Sequence, residues 1–348
     1  MMKVVNKAAL VCKLVGYVLG AYVAFFSRNT KPRRLATDAT EADPEKPKRN
    51  IVIVGAGFAG YYAARIISCD LPADSPFEVV VIEPNSHFNF TWGKVATISR
   101  DSVTLAGSGN VIPYEYLVKG VKLLQAMQQR IKASNKLVIV GGGAAGVEVA
   151  TDAKSLYPNK TVTLVHSRSA VMHRFGTGLQ TAGLKGLQDL GIEVILGDRL
   201  IAEDEAAGLA TLKSGKTVEY DCIVHCTGQR PSSAIVSSIA KDVITEDGYV
   251  RTRPTLQIAD DSLPNVFVCG DLAGHGEANP NARSAMRKAM ICADNIVLAT
   301  QGKALKHTYE PYWADAVIKL TLGMDRSVTH FGDGKTELAF YSKEKTLL

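Results

Sequence analysis

Two glycine clusters carry the chemistry that this sequence offers. The first is Gly55-Ala56-Gly57-Phe58-Ala59-Gly60, entered from the apolar run 50–54 and followed by the helix-forming run 61–67. Strand, glycine turn and helix in that order make an anion cradle. Gly55 takes the tight turn, Gly57 lets the backbone approach a pyrophosphate, and Gly60 allows the helix to pack on the strand. Phe58, within the turn, is counted among the cofactor-binding residues, and free N–H groups at the helix start bind the anion. A second strand is expected over 77–82, with Glu83 at its end to accept hydrogen bonds from an adenosine ribose. The same grammar returns in the run 136–140, the turn Gly141-Gly142-Gly143-Ala144-Ala145-Gly146, a helix bearing Glu148, and the run 161–165. Gly141, Gly143 and Gly146 repeat the three roles. One such turn alone is weak evidence, whereas two in full strand, turn, helix and strand context predict two dinucleotide sites.

The residue standing where Glu83 stands is His166, followed by Ser167 and Arg168. A carboxylate there would repel a 2′-phosphate and these three can accept one, so the second site is expected to take NADH or NADPH. Further on, the strand-like run 221–226 enters Thr227-Gly228-Gln229-Arg230-Pro231, with Gly228 in the turn that ends the second nucleotide unit. The run 265–269 reads as a buried strand entering Gly270-Asp271, which sets an acid at a strand end.

These residues need two α/β units to position them, and the chain is long enough to build both. It has 348 residues, 46% hydrophobic and 21% charged, which excludes a disordered, collagenous or multi-span membrane protein. The formal charge is +6, but residues 1–50 hold 10 Lys+Arg against 4 Asp+Glu, leaving 30 of each in the remainder. The folded part is formally neutral and the excess charge sits on an N-terminal arm, which points to a membrane surface or targeting signal and away from nucleic acid. Six cysteines without a C-x-x-C pair suit a reducing compartment and argue against disulfides and zinc.

In the arm, residues 8–26 are apolar except for Lys13 and would cover about 28 Å as a helix, close to a bilayer's hydrocarbon thickness. Lys3 and Lys7 precede the run, while Arg28, Lys31, Arg33 and Arg34 follow it. The stronger flank is therefore C-terminal, and a transmembrane anchor would leave the bulk of the protein facing the cytosol. A mitochondrial or interfacial targeting segment, a cleaved secretory signal and a plain amphipathic helix are the other readings. Met2 after Met1 excludes myristoylation. Residues 35–49 read as a polar linker.

Taken together, the glycine turn with Glu83, the nested second turn, the T-G-x-x-P and the late Gly270-Asp271 resemble the two-dinucleotide-domain flavoproteins, which include pyridine nucleotide–disulfide reductases and type II NADH dehydrogenases. Phe88-Asn89-Phe90-Thr91-Trp92, the run 112–118, the run 162–167 and Cys226-Thr227-Gly228 are similar to the apoptosis-inducing-factor-like, ferroptosis-suppressor-like branch. The resemblance spans about residues 50–335. It implies an α/β fold of two Rossmann-like domains: a discontinuous FAD domain, residues 50–118 and 255–310, with the NAD(P) domain, residues 119–254, inserted. Residues 1–34 would be the anchor or targeting segment and 311–348 a C-terminal segment. It also implies FAD on Gly55, Gly57, Gly60 and Glu83, with Asp271 holding the ribityl chain. NADH or NADPH would lie on Gly141, Gly143, Gly146 and the turn 166–168.

The activity implied is hydride transfer from the nicotinamide to the flavin and then electrons to a quinone-like small molecule, at an intracellular membrane such as the mitochondrial outer membrane. No residue is singled out as a catalytic acid or base, since the cofactors carry the chemistry. A homodimer is left open among the partners, and no metal is expected.

Two departures stand against that resemblance. After Trp92 the family continues across the first domain, but here residues 93–95 already read as a later strand. After Val118 an A-T-G-type turn is missing and Lys119 opens a helix. The rival reading is thus a non-catalytic, membrane-tethered nucleotide-binding protein that has lost its flavin site. A third departure is Asn279-Pro280-Asn281, where the family often places a basic residue near the flavin. Among weaker signals, His225 reads as a core histidine, Cys222 and Cys226 as core cysteines on one strand face, and residues 309–323 as apolar at helical spacing. His87 and His275 are the loop histidines nearest the expected flavin.

Overall fold

The computed structural model describes residues 2–29, 49–72, 74–83, 114–228, 230–274 and 280–343. Most of the linker, the strand read at 93–95, His87 and His275 lie outside them. In chain order the elements are α1 (Met2–Asn29), β1 (Arg49–Val54), α2 (Phe58–Asp70), β2 (Phe77–Ile82), α3 (Tyr114–Ala133), β3 (Lys136–Val140), α4 (Ala144–Leu156), β4 (Thr161–His166), α5 (Thr177–Asp189) and β5 (Glu193–Leu196). They continue with β6 (Leu200–Asp204), β7 (Leu209–Leu212), β8 (Thr217–Glu219), β9 (Cys222–His225), the single-turn α6 (Ala234–Ser237), α7 (Ala282–Thr300), β10 (Ile318–Thr321), β11 (Arg326–Gly332) and β12 (Glu337–Lys343).

The chain forms two compact units, each discontinuous. One comprises residues 1–10, 89–229 and 316–348, the other residues 11–88 and 230–315. In the first unit, β5, β4, β3 and β9 lie in that order in a parallel sheet. Alternation along β3 sends Leu137 and Ile139 into a core shared with α4 and α5, and Val138 and Val140 into a second core under the antiparallel sheet β6–β8. The meander β10–β12 closes onto α4 and α5, with Leu320, Leu322 and Val328 buried in the first core. Gly186 in α5 makes this approach feasible, because a Cβ there would come 2.8 Å from the Leu322 side chain.

In the second unit, β1 and β2 pair in parallel, and α2 and α7 bury Ile66, Ile67 and Ala293 against Ile51, Ile53 and Val79. The alternate residues Val52, Val54 and Val81 are exposed, at 52%, 55% and 44%. A further core around Val250, Leu256, Ile258, Val268 and Tyr309 holds residues 230–274 beside Cys292 of α7.

Four expectations are corrected. Residues 309–323 form a short 3-10 turn, Trp313–Ala316, and strand β10. The apolar residues Ile318, Leu320 and Leu322 follow a period of two, and Gly323 at φ +92° turns the chain into β11. The run 265–269 is no regular strand among the described residues: Val268 donates to Leu256 O and Ile258 to Val266 O around an isolated bridge, Gln257 with Phe267. The helix expected from Lys119 already starts at Tyr114, since no helix breaker lies between them. His225 ends strand β9 half-exposed, with Nε2 3.0 Å from Glu203 Oε1, while Cys222, Ile223 and Val224 before it are buried.

A fifth correction concerns the membrane. The arm is one long helix, α1, but among the described residues no helix is long and apolar enough to cross a membrane. Lys13 leaves an uncharged run of 14–27, about 21 Å of helix against a hydrocarbon core of about 30 Å.

Candidate functional site

Both glycine turns have the same construction. Gly55 and Gly141 take φ +93° and +117°, a region closed to most side chains, and each donates its N–H back to the neighbouring strand, Gly55 to Ile82 O and Gly141 to Val165 O, both at 2.8 Å. A Cβ on Gly60 would fall 1.8 Å from Gly55 O, and one on Gly146 the same distance from Gly141 O, so each helix packs on its turn in a way only glycine allows. Gly57 and Gly143 are the extended N-caps of α2 and α4. Neither helix start is capped by a side chain, and a Cβ on either glycine would meet nothing within 4 Å. Among the described residues each turn is therefore a cradle open where an anion would approach, with N–H groups and the positive end of a helix dipole behind it.

The residues at the strand ends reach back to these turns. Glu83 Oε2 accepts from Ala56 N–H at 2.6 Å, and His166 Nδ1 accepts from Gly142 N–H at 3.0 Å. His166 is buried, and burial, with His173 and Arg168 adding to it, lowers its pKa below the ordinary histidine value. The ring is thus neutral with its proton on Nε2, which is buried and has no partner among the described residues. Ser167 and Arg168 beside it are exposed. The His166 ring lies against the glycine turn as an acceptor, with the exposed Arg168 two residues on. Gly228, at φ +99°, follows β9 in an exposed turn.

Gly270 and Asp271 come to the first turn. Gly270 adopts φ +73°, and a Cβ there would approach the Ala59 side chain of α2 to 3.1 Å. Asp271 is exposed; desolvation by its surroundings still raises its carboxyl pKa, and Lys288 opposes the rise. Phe58 opens α2 in a half-buried position. Within the second unit, the structure thus brings together Gly55, Gly57, Phe58, Gly60, Glu83, Gly270 and Asp271. Within the first it brings together Gly141, Gly143, Gly146, His166 and the turn after it.

Several residues here carried little sequence signal. Lys288, buried in α7, donates to Gly270 O at 3.2 Å and Ala273 O at 3.0 Å and so holds the Gly270-Asp271 turn from beneath. Asn281, part of the departure from the family pattern, is the N-cap of α7, accepting from Ser284 N–H. Met172, buried with φ +52°, donates to Gly142 O at 2.7 Å and backs the second turn. Glu148, buried in α4, accepts from Thr321 N–H at 3.1 Å; burial pushes its carboxyl up to about 7, with the Thr321 bond opposing and Asp152 adding.

Comparison with known proteins bears on the whole arrangement. The sequence pattern of the family described as pyridine nucleotide-disulphide oxidoreductase matches residues 95–291. The chain is 34% identical to Fe-regulated protein 8 of Mycosarcoma maydis, over 81% of this chain and 88% of that protein. It is 29% identical to ferroptosis suppressor protein 1 of Xenopus tropicalis, over 71% of this chain and 66% of that one. Among solved structures, the fold is similar to a water-forming NADH oxidase from Lactobacillus brevis bound to NADH, with a TM-score of 0.63 at 18% identity, covering 81% of this chain and 75% of that one.

Proposed function

This chain belongs to the pyridine nucleotide-disulphide oxidoreductase family, and from that premise we propose that it is an FAD-dependent NAD(P)H oxidoreductase delivering electrons to a quinone-type acceptor. The observation that carries the proposal is the duplicated open cradle, with the Gly270-Asp271 turn set against the first copy and absent from the second. When bound, FAD and NAD(P)H supply the hydride chemistry.

The chain's own residues bind and orient. The N–H groups at the starts of α2 and α4 hold the two pyrophosphates. Glu83 is placed to exchange its Ala56 bond for ribose hydroxyls, and Asp271 to accept from the ribityl hydroxyls. Arg168, exposed at the end of β4, offers a 2′-phosphate its charge and no carboxylate in the turn 166–168 repels one, so both nicotinamides are accepted. Glu148, with a carboxyl pKa near neutrality, can hold or release a proton beside β10. The acceptor class rests on the resemblance to the ferroptosis suppressor protein 1 relatives.

At the membrane we propose an interfacial role for α1. Val11, Val15, Val18, Leu19 and Val23 are exposed on a helix that also carries Lys3, Lys7 and Lys13, which suits an anionic lipid surface. Co-flotation with anionic vesicles, lost on removing residues 1–29, tests it.

One observation favours the rival reading of a nucleotide-binding protein without flavin: the β1–β2 sheet has only two strands among the described residues, and Val52, Val54 and Val81 are exposed on it. The full chain incubated with FAD and desalted decides between the two. Near-stoichiometric flavin that bleaches anaerobically on adding NADH, with re-oxidation by a short-chain quinone, is expected. A folded, colourless protein that still binds NADH would establish the rival.

A further inference from the structure

We propose that Cys269 and Cys292 form a hydroperoxide-reactive dithiol, a reversible modification site beneath the Gly270-Asp271 turn. The two cysteines are far apart in sequence, and only the fold unites them. Cys269 ends the extended segment before the 3-10 turn Gly270–Leu272, and Cys292 lies inside α7. Both belong to one core cluster, and the Cys292 Sγ donates to Val268 O at 3.7 Å, one residue before Cys269. Cys292 is buried and Cys269 half-buried, so a small oxidant meets Cys269 first.

The surroundings polarise this pair in one direction. Lys288, one helical turn before Cys292, brings a buried ammonium to Gly270 O and Ala273 O, next to Cys269. The neighbouring Cys292 thiol, and the Lys288 charge, hold the Cys269 pKa below the usual thiol value, while the neighbouring Cys269 and burial raise Cys292. Cys222 and Cys226 supply the contrast: burial raises both, Cys226 to about 11, and Cys12 and Cys69 are exposed. Thiolate character and access together select the reactive cysteine, and here they coincide with a resolving thiol in the same core cluster.

The chemistry balances with a hydroperoxide as oxidant. The Cys269 thiolate attacks the peroxide oxygen, the O–O bond breaks, and the departing oxygen takes a proton to leave as an alcohol, or as water from hydrogen peroxide. Cys269 is then a sulfenic acid. The Cys292 sulfur attacks it, the S–S bond forms, the S–O bond breaks, and water leaves with the Cys292 proton. Two thiols and one hydroperoxide yield one disulfide, one alcohol and one water. The bond would tie α7 to the turn carrying Gly270 and Asp271, whichever ligand that turn holds.

The test uses the full chain and hydrogen peroxide, read by intact mass and by peptide mapping without reductant. The expected result is a loss of about 2 Da, the two thiol hydrogens, with a peptide pair linking Cys269 to Cys292 and full reversal by dithiothreitol. In Cys292→Ser a dimedone adduct should appear at Cys269; in Cys269→Ser, Cys292 should remain an unmodified thiol. Peroxide that oxidises Cys12 or Cys69 while Cys269 and Cys292 stay free would overturn the proposal in the unmutated chain, without reliance on either variant's folding. So would over-oxidation of Cys269 with no cross-link.

Discussion

Replacing Gly146 by alanine should weaken nicotinamide binding and leave flavin in place. The added methyl would fall 1.8 Å from Gly141 O and 3.3 Å from the Cys226 side chain. Ordinary contact begins at about 3.4 Å, so the start of α4 must retreat from the turn by roughly 1.5 Å, an overpacking cost of about 1–3 kcal/mol. That retreat stretches N–H bonds to a pyrophosphate from about 2.9 Å to beyond 4 Å. Each such bond to a charged group is worth about 1.5–3 kcal/mol, so losing one weakens NADH binding by roughly 10- to 100-fold. Titration of the purified variant with NADH, followed by protein fluorescence, measures the loss; the visible spectrum of the same sample measures flavin. Gly60→Ala is the mirror experiment, since its methyl would meet Gly55 O at the same 1.8 Å in the other unit. It should lose flavin and keep NADH. A Gly146→Ala protein that binds NADH within about threefold of the unmodified chain, or that sheds flavin as readily as nicotinamide, would refute the assignment of one cradle to each cofactor.

Glu148 makes stability depend on pH. Its carboxyl is raised from 4.5 to about 7 by burial, so the folded state keeps a proton that the unfolded state releases, and stability falls as pH rises from about 4.5 to about 7, by on the order of 3 kcal/mol in all. Glu148→Gln, which retains an acceptor for Thr321 N–H, should flatten that part of the Tm-against-pH curve; an unchanged slope would remove Glu148 as its source. Arg168→Ala should weaken NADPH binding by roughly tenfold and leave NADH binding unaltered, and equal effects on both would end the proposal that this exposed guanidinium reads the 2′-phosphate. Glu337 accepts from Gly178 N–H at 2.9 Å, from the Thr177 hydroxyl and from His330, pinning β12 to the start of α5. Glu337→Ala should therefore cost about 1–2 kcal/mol in urea unfolding, with NADH affinity preserved.

Much of the site was legible because its demands are local. A turn that needs positive φ at Gly55 and Gly141, and helices that touch it at Gly60 and Gly146, can be written only with glycine, so the spacing announces the geometry. The strand at Phe77–Ile82 and the carboxylate after it follow from a β-branched run and its end. What misled sequence reasoning was periodicity in short apolar runs. Residues 309–323 fit a helical stripe, yet the two-residue alternation of Ile318, Leu320 and Leu322 prevailed once α4 and α5 offered a surface to cover. His225 looked like core because its strand is apolar, and sequence does not disclose that burial along β9 stops at Val224.

The sequence by itself determined the two cradles, the order of the elements around them and the chain's family, because each rests on backbone sterics or on runs a few residues long. The tertiary structure decided the rest. It placed Gly270 against Ala59, put Lys288 beneath the same turn, turned His166 into a buried acceptor for Gly142, and brought Cys269 and Cys292 into one core cluster. Each of those depends on which helix face meets which loop, a packing choice made by the whole core. Burial and charge at these positions, and with them the protonation of Glu148, His166 and Cys269, exist only after that choice has been made.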